Sequence, residues 1–154
     1  GPLREPAAAG LARAAAVLAI GEAPAQAALR ARWGAALGAV PLFAGRLAPL
    51  PTGMPWAGLR ALAFAGIGRP AKFFDTLAAQ GATLVDCVAL DDHQLIPPAL
   101  FARLEAQARA AGAQLVTTEK DAVRLPRALR PRVLTLPVRL EAALGYPGGD
   151  RRSR

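Results

Sequence analysis

The chain has 154 residues, 53% of them hydrophobic, enough for one buried core with a further segment attached, and this excludes an intrinsically disordered chain. Its 19 Lys and Arg against 11 Asp and Glu leave a net charge of +8, which suits anionic lipid or phosphorylated ligands; the arginines are scattered and no aromatics alternate with them, so no nucleic-acid platform is expected. One cysteine and one histidine exclude an internal disulfide and the usual zinc site, and a single serine, Ser153 in the tail, excludes a serine hydrolase.

Residues 1–6 read as a loop held by Pro2 and Pro6. Ala15 to Ile20 is a short apolar run ending at Gly21, the pattern of a buried strand. The apolar stretch from Ala7 to Ile20 is broken by Arg13 and too short to span a bilayer, and no signal peptide is visible. Ala25 to Trp33 predicts a helical turn or two. Gly38 to Leu47 predicts a strand, and Pro41 within it points to an edge or connecting position. Pro49, Pro51, Gly53 and Pro55 then make a loop where a domain boundary is expected.

Leu59 to Ala65 has no polar alternation and predicts a strand covered on both faces. Pro70 suits the first turn of a helix that Gly81 ends. Thr83 to Leu90 is the next strand, and its Cys87, set in an apolar run, is expected to be buried. Pro97 and Pro98 open a helix running to Ala111, with Leu100, Leu104 and Ala108 on one face and Gly112 past its end. Gln114 to Thr117 predicts a third strand, Thr118 a cap for a helix starting at Glu119 with Asp121 completing a capping box, and Arg132 to Leu136 a fourth strand. Strands alternating with helices imply a Rossmann-like three-layer α/β/α unit with a mostly parallel sheet. The expected division is 1–57, 58–146 and a disordered tail at 147–154.

Two strand-to-helix junctions concentrate the polar chemistry. Gly66-Ile67-Gly68-Arg69-Pro70-Ala71 follows the first strand of that unit, with Lys72 behind it; Thr117-Thr118-Glu119-Lys120-Asp121 follows the third. The only two lysines of the chain, Lys72 and Lys120, fall in these stretches. Ligand-binding groups gather at such junctions because strand C-termini and helix N-termini converge there. A lysine near a helix N-terminus opposes the helix dipole, a cost that a bound phosphate would offset. Arg69, Lys72, Thr118, Glu119 and Lys120 are therefore candidate phosphate or substrate contacts, although Thr118 and Asp121 are also explained by capping. The first stretch formally satisfies the G-x-G-x-x-[GA] dinucleotide fingerprint, but the acidic residue expected at the end of the next strand would be Asp86, which falls mid-strand. A third polar group, Asp91-Asp92-His93, follows the second strand, where flanking carboxylates would raise the pKa of His93 and orient its ring.

These stretches, with Gly1-Pro2-Leu3-Arg4-Glu5-Pro6 ahead of them and in the same order, resemble the tetraacyldisaccharide 4′-kinases, the lipid A 4′-kinases of Gram-negative bacteria. The resemblance covers most of residues 1–140 but only the later half of the family's chain. No G-x-x-x-x-G-K-[ST] loop occurs here, so it implies the C-terminal part of a P-loop kinase: a remnant of the first domain and a connecting strand, then the α/β unit. It implies transfer of the ATP γ-phosphate to the 4′-hydroxyl of tetraacyldisaccharide 1-phosphate. ATP and Mg2+ would be held mainly by the half not represented, at the cytoplasmic face of the inner membrane. It implies that Arg4 and Glu5 contact the nucleotide, that Asp92-His93 matches the family's Asp-His pair, and that His93 assists deprotonation of the sugar hydroxyl. Gln94 stands where the family has a second His, and Leu95-Ile96 where Pro-Tyr is usual. On these readings the 154 residues alone are expected to be inactive; a dinucleotide-binding module or a catalytically dead interaction fragment are the alternatives.

Overall fold

A computed structural model of the protein describes residues 5–92 and 94–143; Arg4, His93 and the expected tail at 147–154 lie outside the described residues. The chain forms two compact units, one running through Ala48 and resuming at Arg139, the other spanning Pro49–Val138.

The first unit holds α1 (Ala7–Ala12), β1 (Val17–Ile20), α2 (Ala23–Leu37) and β2 (Leu42–Pro49). β1 and β2 are parallel, with Val17 opposite Leu42 and Ile20 opposite Gly45, so β1-α2-β2 is a crossover unit. Pro24 lies in the first turn of α2, where the missing N–H costs nothing. Pro41 does not interrupt β2: it sits one residue ahead of the strand, and its carbonyl accepts from the Val17 N–H at 2.8 Å. The expected edge position is therefore corrected, because β2 lies between β1 and β7 (Val138–Ala143) in the order β1-β2-β7.

The second unit contains β3 (Arg60–Ala65), α3 (Pro70–Ala79), β4 (Thr83–Ala89), α4 (Pro98–Ala110), β5 (Gln114–Thr118), α5 (Glu119–Arg124), a 3-10 turn at Arg130–Arg132 and β6 (Leu134–Leu136). Its sheet has the order β4-β3-β5-β6, and every pairing in it is parallel. The two sides of β3 alternate between two cores. Ala61, Ala63 and Ala65 face Phe73 and Leu77 of α3, with Val116 and Leu136. Leu62 and Phe64 face Phe101, Leu104 and Ala108 of α4, with Leu115 and Leu125. Alanines under α3 let the helix lie close, and the larger residues fill the α4 side, which gives the expected α/β/α sandwich.

The helix ends follow from local chemistry. Gly81 leaves α3 with φ 93°. Gly112 leaves α4 with φ 59°, and the Ala113 N–H to Ala108 and Gly112 N–H to Arg109 bonds complete a Schellman ending. Cys87 corrects an expectation: it is exposed, because β4 is an edge strand with little of its length covered.

Candidate functional site

The order β4-β3-β5 places a switch point between β3 and β5: the chain leaves β3 through α3 towards one edge and returns through α4 to the other side of β3. Open α/β sheets present a crevice outside the carboxyl ends of the two strands at such a point. The loops after β3 (66–69), β4 (90–97) and β5 (at Thr118) all open on that carboxyl edge, and they carry both singled-out stretches.

Gly66 joins the three loops. A Cβ on it would lie 3.1 Å from the Asp91 carbonyl oxygen and 3.3 Å from Asp121 Oδ1, with Leu90 at 3.5 Å. The residue is required for close approach rather than for a left-handed backbone, since Gly66 and Gly68 are absent from the glycines with positive φ. A Cβ on Gly68 would find only Asp92 Oδ2, at 4.0 Å.

The Gly66 N–H donates to Asp121 Oδ2 at 3.0 Å. The Thr118 hydroxyl donates to the same oxygen at 2.7 Å and accepts the Asp121 N–H at 3.1 Å, capping α5 as expected. Arg124 Nη2 donates to Asp121 Oδ1 at 2.8 Å and to the Gly66 carbonyl at 3.1 Å. Both peptide groups of Gly66 are thus gripped from α5. Beside them the buried Thr117 hydroxyl donates to the Phe64 carbonyl at 2.7 Å, tying β5 to β3. Asp121 is wholly buried. It takes part in the cap and is also the centre of the junction, signalled in the sequence only by an Asp and an Arg three positions apart on a short helix.

Arg69 is exposed and stands at the N-cap of α3 without a side-chain cap bond. Lys72 is exposed in the first turn of α3, and its carbonyl accepts from the Thr76 hydroxyl at 2.7 Å. Lys120 is exposed and Glu119 half-buried in the first turn of α5. The structure thus gathers Arg69, Lys72, Thr118, Glu119 and Lys120 at one edge of one sheet, on the two segments that Asp121 and Arg124 join. Asp92 is exposed in the β4–α4 loop. Asp91 shapes that loop: its N–H donates to the Gln94 side chain at 2.9 Å, and its carbonyl accepts the Gln94 N–H at 2.9 Å. Glu5 belongs to the other unit, where its carboxylate accepts two bonds from Arg13, at 2.7 and 2.8 Å.

The Gly66 N–H, spent on a carboxylate, cannot also cradle a pyrophosphate, so the fingerprint match has a packing role. Among the described residues no group of three or more His, Cys, Asp or Glu side chains could hold a metal ion. No described helix is long and apolar enough to cross a membrane.

A family profile described as tetraacyldisaccharide-1-P 4′-kinase matches residues 1–147. A tetraacyldisaccharide 4′-kinase of Dinoroseobacter shibae is 61% identical over 93% of this chain and 42% of its own length. Another, of a Jannaschia species, is 55% identical over 92% of this chain and 43% of its own. The chain thus spans about two fifths of the length of these relatives. A crystal structure of LpxK from Aquifex aeolicus in complex with ATP aligns with 69% of this chain and 33% of its own, at 18% identity and a TM-score of 0.45.

Proposed function

This chain belongs to the tetraacyldisaccharide-1-P 4′-kinase family, and on that premise we propose that it is part of an enzyme that moves the γ-phosphate of ATP to the 4′-hydroxyl of tetraacyldisaccharide 1-phosphate. The 4′ oxygen attacks the γ-phosphorus, the bond to the β-phosphate oxygen breaks, ADP leaves, and the hydroxyl proton passes to a base. His93 is assigned as that base, with Asp92 beside it in sequence. The cations Arg69, Lys72 and Lys120 bind and orient phosphate, with Thr118 and Glu119 at the same edge. Phosphoryl transfer depends on such positioning and charge neutralisation more than on covalent chemistry.

The observation that carries this reading is the convergence of both lysine-bearing segments on one switch-point crevice, braced by a buried Asp–Arg pair. The 154 residues contain no P-loop sequence, so the phosphates of ATP and its Mg2+ are assigned chiefly to the remainder of the family's chain, with Arg4 and Glu5 reaching the nucleotide from this part. The net charge of +8 accords with work at an anionic membrane surface, here the cytoplasmic face of the inner membrane.

The test is transfer of labelled γ-phosphate to the lipid by the full-length protein. Lys72→Ala, Lys120→Ala and Arg69→Ala should each lower kcat/KM by roughly 10- to 150-fold, the worth of a hydrogen bond to a charged group. His93→Ala should lower kcat by on the order of 10²–10⁴ while leaving ATP affinity nearly unchanged. Wild-type turnover by all four variants would remove the crevice from the reaction.

A further inference from the structure

We propose that Asp121 and Arg124 are positioning residues, which hold the two cation-bearing segments of the crevice at a fixed separation without touching the ligand. The proposal rests on the reading that this crevice handles phosphate.

Four observations lead to it. The first is the target of the pair. Asp121 and Arg124 lie on α5, yet they take the N–H and the carbonyl of the same residue, Gly66, at 3.0 and 3.1 Å and 55 and 58 positions away. Gripping both peptide groups fixes the plane and direction of the chain as it leaves β3, three residues before Arg69. The second is the cost. Asp121 has no exposure and the Arg124 side chain only 21%. Taking an ion pair out of water is rarely a gain over an apolar pair of the same volume.

The third is that the pairing is not optimised for stability. Arg124 Nη1 is buried without a hydrogen-bond partner among the described residues, a penalty that a purely structural brace has no reason to carry. The fourth is placement. The other strand-to-helix junction of this sheet edge, β4 to α4, is shaped by exposed bonds between Asp91 and Gln94. The Asp121–Arg124 brace joins the two junctions that bear lysine.

A brace of this kind sets rigid-body geometry. The β3–α3 turn leads directly into Arg69 and Lys72, and Lys120 precedes Asp121 on α5. Loosening the grip on Gly66 lets the two lips separate, and cations that should meet one phosphate no longer act together. Small displacements of positioning groups cost rate far from the chemistry, about 100-fold for roughly 1 Å.

The experiment is a double-mutant cycle in the full-length protein, read as kcat and KM for phosphate transfer from ATP to the lipid. Asp121→Asn keeps the volume and an acceptor for Gly66 but removes the charge that fixes Arg124. It should lower kcat/KM by roughly 100-fold, and the further loss from Lys120→Ala or Lys72→Ala should shrink severalfold in the Asp121→Asn background, since the lips already act separately. If the single and double effects multiply instead, or if Asp121→Asn lowers only the melting temperature, the proposal is overturned while the crevice keeps its function. If the lysine variants alone lose nothing, both readings fall. Should Asp121→Asn not fold, as judged by far-ultraviolet circular dichroism, the variant of its less buried partner, Arg124→Gln, carries the same cycle with the same two outcomes.

Discussion

Cys87 and Asp121 show how far single residues can be read without a fold. Both were assigned from their neighbours in sequence, Cys87 to the interior and Asp121 to the cap of α5; Cys87 is exposed, and Asp121, though it joins the cap, is wholly buried. Neighbours report strand or helix, but exposure depends on strand order, which no local pattern encodes. The two lysines were legible because a strand–turn–helix signal surrounds each one. Cys87 also yields a chemical expectation. Its thiol is pushed above the ordinary cysteine value first by partial burial, then by the charges of Asp86 and Asp75. At a given pH it holds less thiolate than a free cysteine, so its alkylation by iodoacetamide at neutral pH should be slow and should climb only as pH rises past that ordinary value. Asp86→Asn should speed the reaction at fixed pH. A rate equal to that of a free cysteine peptide, unchanged in Asp86→Asn, would contradict this.

Elements of the second unit were the most legible, because its strands are near-continuous apolar runs and its two longer helices, α3 and α4, begin at proline and end near glycine. The first unit was read less well. α2 extends from Ala23 to Leu37, well beyond the expected Ala25 to Trp33, since an alanine-rich helix shows little apolar periodicity to mark its ends. α1 and β7 were not anticipated at all: α1 is a six-residue alanine-rich turn without a side-chain cap, and β7 follows Pro137, which reads as a stop. The α4 pattern, by contrast, fixed its buried face in advance, with Leu104 wholly buried and Ala108 nearly so, though the deepest aromatic there, Phe101, was not singled out. Leu104→Ala should therefore destabilise the protein by about 2–5 kcal/mol. The adjacent, exposed Arg103→Ala should stay within about 0.5 kcal/mol of wild type. Chemical denaturation of the pair measures the difference directly, and equal midpoints would mean that α4 does not seal the sheet as described.

At the scale of the molecule, the family of the chain was legible from four short motifs, while the return of β7 beside β2 was not, since no local pattern records it. Residues 1–154 by themselves should bind MgATP weakly, because no P-loop sequence lies within them. Calorimetric titration of this stretch against the full-length protein checks this, and tight magnesium-dependent binding by the stretch would reverse the assignment of nucleotide contacts. The order β4-β3-β5-β6 has one more consequence, for solubility. An open parallel sheet has two rims of unpaired amides and carbonyls on which a neighbouring chain could add a strand. Here one rim is β6, three residues long and closed off by Pro137. The other is β4, whose pairing with β3 is broken by a register shift between Ala61 and Leu62, and whose Asp86 turns its own carboxylate onto the Cys87 amide at 2.8 Å. A short strand, a proline, an irregular register and a self-bonded acid each deny a foreign strand its footing, so a sheet that opens a crevice at its carboxyl edge offers its own copies little to pair with along the two others.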